Sequence, residues 1–203
     1  MRITKHLIGL LLSLLFIYIM LSYSFEESKV FWYLYTFTLL VGMSIAIISN
    51  KFKDELPTWK YFIFGIGYGT ILYGIVRLGY ILLTNIDGSI AKSISKFLDT
   101  YGPTNIWHYL LLIFIVVVGE ELFWRGYVQQ QLKKWMSPAI AVIITSILFA
   151  LSVIISGFIP GAVAALFAGV ILGTLYEWKQ SMPLIIIAHE VFVLLLFMIL
   201  PLS

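Results

Sequence analysis

Apolar positions run nearly unbroken for about 18 residues or more at seven places along the chain, near residues 7–24, 30–49, 61–84, 106–131, 138–156, 160–177 and 183–201. Runs of that length predict membrane-spanning helices, because about 20 residues rising 1.5 Å each cross a hydrocarbon layer of about 30 Å. Segment 85–105 has a different pattern. There Ile90, Ile94, Phe97 and Leu98 recur at helical spacing among Lys92, Lys96 and Asp99, which predicts an amphipathic helix in the interface and leaves an eighth span open. The expected fold is all-α: a polytopic membrane bundle of seven to eight transmembrane helices, forming one integral membrane domain over residues 1–203. The first run has a basic start, Arg2 and Lys5, like a signal peptide. Leu21-Ser22-Tyr23-Ser24 is a poor small-residue cleavage site, so an uncleaved first helix is expected.

Composition agrees with a lipid solvent: 61% of the 203 residues are hydrophobic and 11% are charged. The absence of cysteine excludes disulfides, thiolate nucleophiles and cysteine-ligated zinc, so any chemistry must use oxygen or imidazole. The net charge of +3 comes from basic residues scattered over many loops, which gives no footprint for nucleic acid. With the N-terminus in the cytoplasm, the inner segments hold Arg2, Lys5, Lys51, Lys53, Lys60, Lys133, Lys134 and Lys179, and the outer ones only Lys29, Lys92 and Lys96. Retention of basic loops therefore predicts N-terminus in and C-terminus out, in a plasma membrane of bacterial type.

An ionisable group inside a span costs a few kcal/mol and is a functional candidate by default. In Gly119-Glu120-Glu121-Leu122-Phe123-Trp124-Arg125, Glu121 and Arg125 stand at i and i+4 and are expected to pair, while Glu120 points about 100° away and is expected to stay free. A free buried carboxylate serves as a base; the competing reading is a charge network that locks two helices. His189, followed by Glu190, lies in the last span after a helix start at Pro183. It reads as a proton carrier, a metal ligand, an oxyanion donor or a hydrogen bond between helices. Arg77 in the third span is expected to snorkel or to pair with Glu177 or Glu190. Glu177 and Trp178 read as an interfacial anchor. His108 lies about 18 Å along the helix from Glu120 and is expected to stand apart from it. Gly157, Gly161, Ala164, Ala165, Ala168, Gly169 and Gly173 suit close packing of the fifth and sixth spans.

The string Glu120-Glu-Leu-Phe-Trp-Arg-Gly-Tyr127 resembles the EExxxR motif of the CAAX protease and bacteriocin-processing family of intramembrane proteases, the Abi or lysostaphin-resistance-A-like family. Thr145–Ser152 is similar to its second motif, Ala168–Trp178 to its connecting helix, and His189 falls at its third motif. The resemblance spans about residues 106–197; residues 1–105 resemble the family only in being hydrophobic. It implies that Glu120 is the base, that Arg125 holds Glu121, and that His189 donates to the oxyanion. Two positions depart from the pattern. FxxxH reads Phe149-Ala-Leu-Ser-Val153, and HxxxN reads His189-Glu-Val-Phe-Val193. Losing an oxyanion donor costs about 10² to 10³ in rate, and losing an acid–base partner about 10² to 10⁴. Ser152, Ser156 and Glu190 are the nearby candidates for substitutes.

The resemblance thus implies an intramembrane CAAX-type endopeptidase that hydrolyses a hydrophobic or lipid-anchored peptide or protein with glutamate-activated water. The alternative is a disabled member acting as a membrane scaffold, chaperone or immunity protein. No cofactor is expected. Zinc enters through the family's naming, but the site offers too few ligands for a catalytic zinc. The expected partners are the substrate and the lipid bilayer, with no nucleic acid.

Overall fold

The computed structural model describes residues 2–202; the side chains of residues 2–5, with Arg2 and Lys5 of the charge count, lie outside the described residues. The described chain is built of helices: α1 (Arg2–Glu26), α2 (Phe31–Ser49), α3 (Thr58–Ile86), α4 (Gly88–Tyr101), α5 (Ile106–Leu132), α6 (Pro138–Ile154), α7 (Ile159–Lys179) and α8 (Met182–Ile199). Six of them are long and apolar enough to cross a membrane. The 17-residue α6 is the shorter apolar helix and reaches about 26 Å, so seven of the seven expected runs are helical. At 14 residues α4 is too short for an eighth span. The protein is an all-α polytopic membrane bundle. Many of the side chains it turns outward are apolar, among them Ile48, Ile63 and Ile86.

Local chemistry sets the helix ends. Asp87 accepts from the Ser89 amide at 2.8 Å and starts α4; these bonds to its charged form hold its carboxyl below the usual carboxylate range. Asn105 accepts from the His108 amide to start α5, and Ser137 with Pro138 starts α6. Gly157, at φ 75°, turns the chain from α6 to α7. The amphipathic α4 buries Ile94 and stacks Phe97 on Phe158, with ring centroids 4.1 Å apart, while Lys92 and Lys96 stay exposed.

Two close helix contacts frame the bundle, since van der Waals fit between small residues replaces the hydrophobic drive that lipid cannot supply. Gly169 of α7 lies against Ser146 of α6, where a Cβ would come within 3.0 Å of the Ser146 backbone. Of the other small residues named above, Gly173 packs against Gln129 and Val142, whereas Gly161 faces Phe158 of its own turn. The second contact joins α3 to α8. A Cβ on Gly69 would stand 2.4 Å from the Ala188 carbonyl oxygen.

At one end of the bundle the 50–57 loop is tied to the α7–α8 turn. Met182 donates its amide to the Lys53 carbonyl at 2.9 Å, Glu55 donates to that of Gln180 at 3.0 Å, and Ser181 donates its hydroxyl to Asp54 at 2.8 Å. Asn50 donates to the Gly126 carbonyl at 2.9 Å, fixing α5 at the same level. Lys133 and Glu177 pair at 2.6 Å here, so the basic residues of loop 50–57 share this end with those following α5.

Candidate active site

Polar side chains meet inside the bundle where α2, α5 and α8 touch. Gly119 makes this possible, because a Cβ there would lie 2.9 Å from the Leu39 Cβ. Helix α5 is also locally widened: Leu112–Val117 and Leu122–Val128 form π-helical turns on either side of Val118–Glu121. Such turns change the angle between successive side chains and recur at functional sites.

Glu121, fully buried, accepts from Arg125 Nη1 at 3.0 Å, the expected i,i+4 pair. The same oxygen, Oε1, stands 2.7 Å from His189 Nδ1. A carboxylate has no hydrogen to give, so Nδ1 is the donor and Glu121 fixes the plane of the ring. The other ring nitrogen, Nε2, faces Glu120 Oε2 at 3.9 Å. Two adjacent carboxylates thus converge on one imidazole, one bonded and one just out of direct reach. Arg125 is 1% exposed and lies with its guanidinium carbon 4.9 Å over the Phe149 ring. Phe149 of the second motif therefore covers the cation.

Glu120 is not free. The Tyr35 hydroxyl on α2 donates to its Oε1 at 2.5 Å. The i,i+4 spacing of α5 leaves Glu120 unpaired along its own helix, and its partner comes from 85 residues away. A tyrosine among aromatic residues near the start of an apolar run gave no signal by which to find it.

The site lies inside the bundle but near one end. Glu120 is six residues, about 9 Å, from Gly126 at the level of Asn50, and His189 is about 12 Å along α8 from Ser181. His108 stands apart, stacked on Trp32 at 4.8 Å.

Val193 is buried and Val153 half-buried, so neither restores a polar group. Ser152 donates to the Phe149 carbonyl at 2.6 Å and Ser156 to that of Val153 at 2.7 Å, so both hydroxyl hydrogens are spent on carbonyls three residues back. Glu190 is half-buried beside His189 in sequence. Arg77 pairs with neither Glu177 nor Glu190. It donates to the Tyr73 hydroxyl at 2.7 Å and to the Leu200 and Pro201 carbonyls, because the open carbonyls after the last helix lie within its reach. Glu177 is more than an interfacial anchor: it takes Lys133 at 2.6 Å and Gln129 at 2.8 Å, tying α7 to α5.

A catalytic zinc needs three protein ligands around an open position. Glu121 Oε1 is already shared by Arg125 and His189, and among the described residues no three His, Asp or Glu side chains form a set able to hold a metal. The donors left facing one another are Glu120 Oε2 and His189 Nε2. They do not fit zinc, and no step below passes through a metal.

Residues 102–195 match the family described as Rce1-like, type II CAAX prenyl endopeptidase Rce1-like. That segment contains the EExxxR string, Phe149, Val153, His189 and Val193, and it bears out the resemblance stated from the motifs; Tyr35 lies outside it. No curated protein and no solved structure matches the chain.

Proposed function

From the premise of an Rce1-like C-terminal segment, we propose that the chain is an intramembrane endopeptidase of the CAAX-processing type. Its substrate is a hydrophobic or lipid-anchored peptide or protein, and the attacking water is activated by Glu120. One observation carries this reading: His189, locked by Glu121, turns Nε2 toward Glu120 across 3.9 Å. That separation is too long for a hydrogen bond and suits an oxygen bonded to both groups.

In this mechanism Glu120 takes a proton from water as the oxygen attacks the carbonyl carbon. The π electrons move to the carbonyl oxygen, and the resulting oxyanion accepts from His189 Nε2–H. The carbon–nitrogen bond then breaks and Glu120 returns the proton to the leaving amine. With Nδ1–H committed to Glu121, Nε2 carries a hydrogen in the imidazolium form. Two carboxylates against a guanidinium and an imidazolium leave the cluster neutral, which avoids the cost of net buried charge. We place the protein in a bacterial plasma membrane as one domain over residues 1–203, with the N-terminus and the site's nearer end cytoplasmic.

A second reading is favoured by Val153 and Val193 together with the self-satisfied Ser152 and Ser156 hydroxyls. In it the bundle holds a peptide or membrane protein without cleaving it, as a scaffold, chaperone or immunity protein. Cleavage of hydrophobic and lipidated peptides by the protein in nanodiscs, scored by mass spectrometry beside Glu120→Ala, separates the two. Products lost in Glu120→Ala establish the protease. Products absent from the wild type and appearing in Val153→His/Val193→Asn establish the disabled site.

A further inference from the structure

We propose that Tyr35 is the positioning residue of Glu120, so that α2, outside the Rce1-like segment, completes the site; the inference rests on the hydrolytic reading above. Its hydroxyl is the one hydrogen-bond donor to Glu120 among the described residues, at 2.5 Å. A carboxyl held at Oε1 has its remaining rotation fixed, which directs Oε2 at His189 Nε2.

The phenol is itself held in place. Its ring stacks on Phe31, with centroids 5.1 Å apart and planes at 27°, and meets Phe25 at 6.2 Å. Tyr101 of α4 closes this group from the far side: its ring lies 5.0 Å from Phe31 and 5.3 Å from Phe25, and its hydroxyl donates to the Phe25 carbonyl at 2.8 Å. Helices α1, α2 and α4 thus fix one hydroxyl over Glu120. Tyr35 thus supplies that carboxyl with a polar partner from another helix.

Fixing a reacting group to within an ångström is worth about 10²-fold in rate, and a bond to a charged group is in the same range. Tyr35→Phe keeps the stacked ring and removes only the hydroxyl. Peptide cleavage in nanodiscs and infrared spectroscopy of the Glu120 carboxyl band, assigned by its loss in Glu120→Gln, are measured together. Tyr33, 72% exposed, supplies the control Tyr33→Phe.

The expected result is a fall in kcat of about 10- to 100-fold with KM unchanged, and a displaced carboxyl band, neither of which occurs in Tyr33→Phe. An unmoved band overturns the inference, as does a moved band with unchanged kcat. Where the wild type and Glu120→Ala both fail to cleave any peptide, it is the hydrolytic reading that falls. The band then decides alone: displacement keeps Tyr35 as the group that positions this carboxyl, and no displacement removes it.

Discussion

Gly69→Ala reports whether the α3–α8 contact sets the position of His189. The added Cβ would stand 2.4 Å from the Ala188 carbonyl oxygen and 2.8 Å from the Val191 Cβ, where ordinary contact begins at 3.4 Å. A backbone carbonyl cannot swing aside as a side-chain end can, so α8 must withdraw by about 1 Å, an overpacking cost of about 1–3 kcal/mol. Alanine recovers about 1 kcal/mol of helix propensity over glycine, which sets the control. Gly67→Ala and Gly74→Ala sit on the same helix with nothing within 4 Å of the new Cβ, so they show the propensity gain alone. Gly69→Ala should therefore melt below both of them in detergent, by the full overpacking cost. Because Ala188 adjoins His189, the same withdrawal lengthens the 2.7 Å contact to Glu121. Nitrogen NMR of the imidazole should show Nδ1 losing its partner in Gly69→Ala and keeping it in Gly67→Ala. A Gly69→Ala protein as stable as Gly67→Ala, with an unchanged imidazole spectrum, would refute the reasoning.

Two further outcomes follow from groups already described. Glu121→Gln leaves the 1%-exposed Arg125 without its carboxylate and should cost about 3–5 kcal/mol by chemical denaturation in micelles, well beyond the cost of Lys133→Ala in the partly solvated pair at the bundle's end. For Asp87, at the bundle's surface, the folded-state value is depressed by the Ser89 bonds, so its contribution is full above the unfolded carboxylate range and disappears as pH falls through the folded value. Hydrogen exchange at the start of α4, corrected for intrinsic rates, should accelerate on acidification in the wild type and show no such step in Asp87→Ala.

Those elements whose signal is local were legible in the sequence. Seven apolar runs became seven helices, and the α4 periodicity placed Ile94 inward and its lysines outward, because hydrophobic spacing depends on a segment's own residues. The Glu121–Arg125 pair was equally local, being one turn of one helix. What stayed hidden was tertiary. Arg77 found carbonyls beyond the last helix rather than a carboxylate, and Glu120 found a phenol on α2, at sequence separations of 123 and 85. Neither contact leaves a pattern in the residues flanking it. The π-helical turns of α5 were also illegible, since Leu112–Val117 reads like any apolar stretch.

The persistence of so many charges in so apolar a chain bears on which functional reading is stronger. Holding Arg125 only to stiffen the bundle is a poor use of it, because well-packed apolar replacements of a buried ion pair are often neutral or stabilising. The cluster joins Arg125 to Glu121 through Nη1 and Oε1 at 3.0 Å. What it does achieve is orientation. Glu121 takes Nδ1, Arg125 under the Phe149 ring holds Glu121, and Tyr35 takes the far oxygen of Glu120, which leaves two polar atoms facing each other across 3.9 Å. A scaffold gains nothing from aiming those two atoms at one point, whereas hydrolysis requires it. On the proposed hydrolytic reading, the valines at 153 and 193 bear on the rate, and the facing of Glu120 and His189 bears on the kind of chemistry.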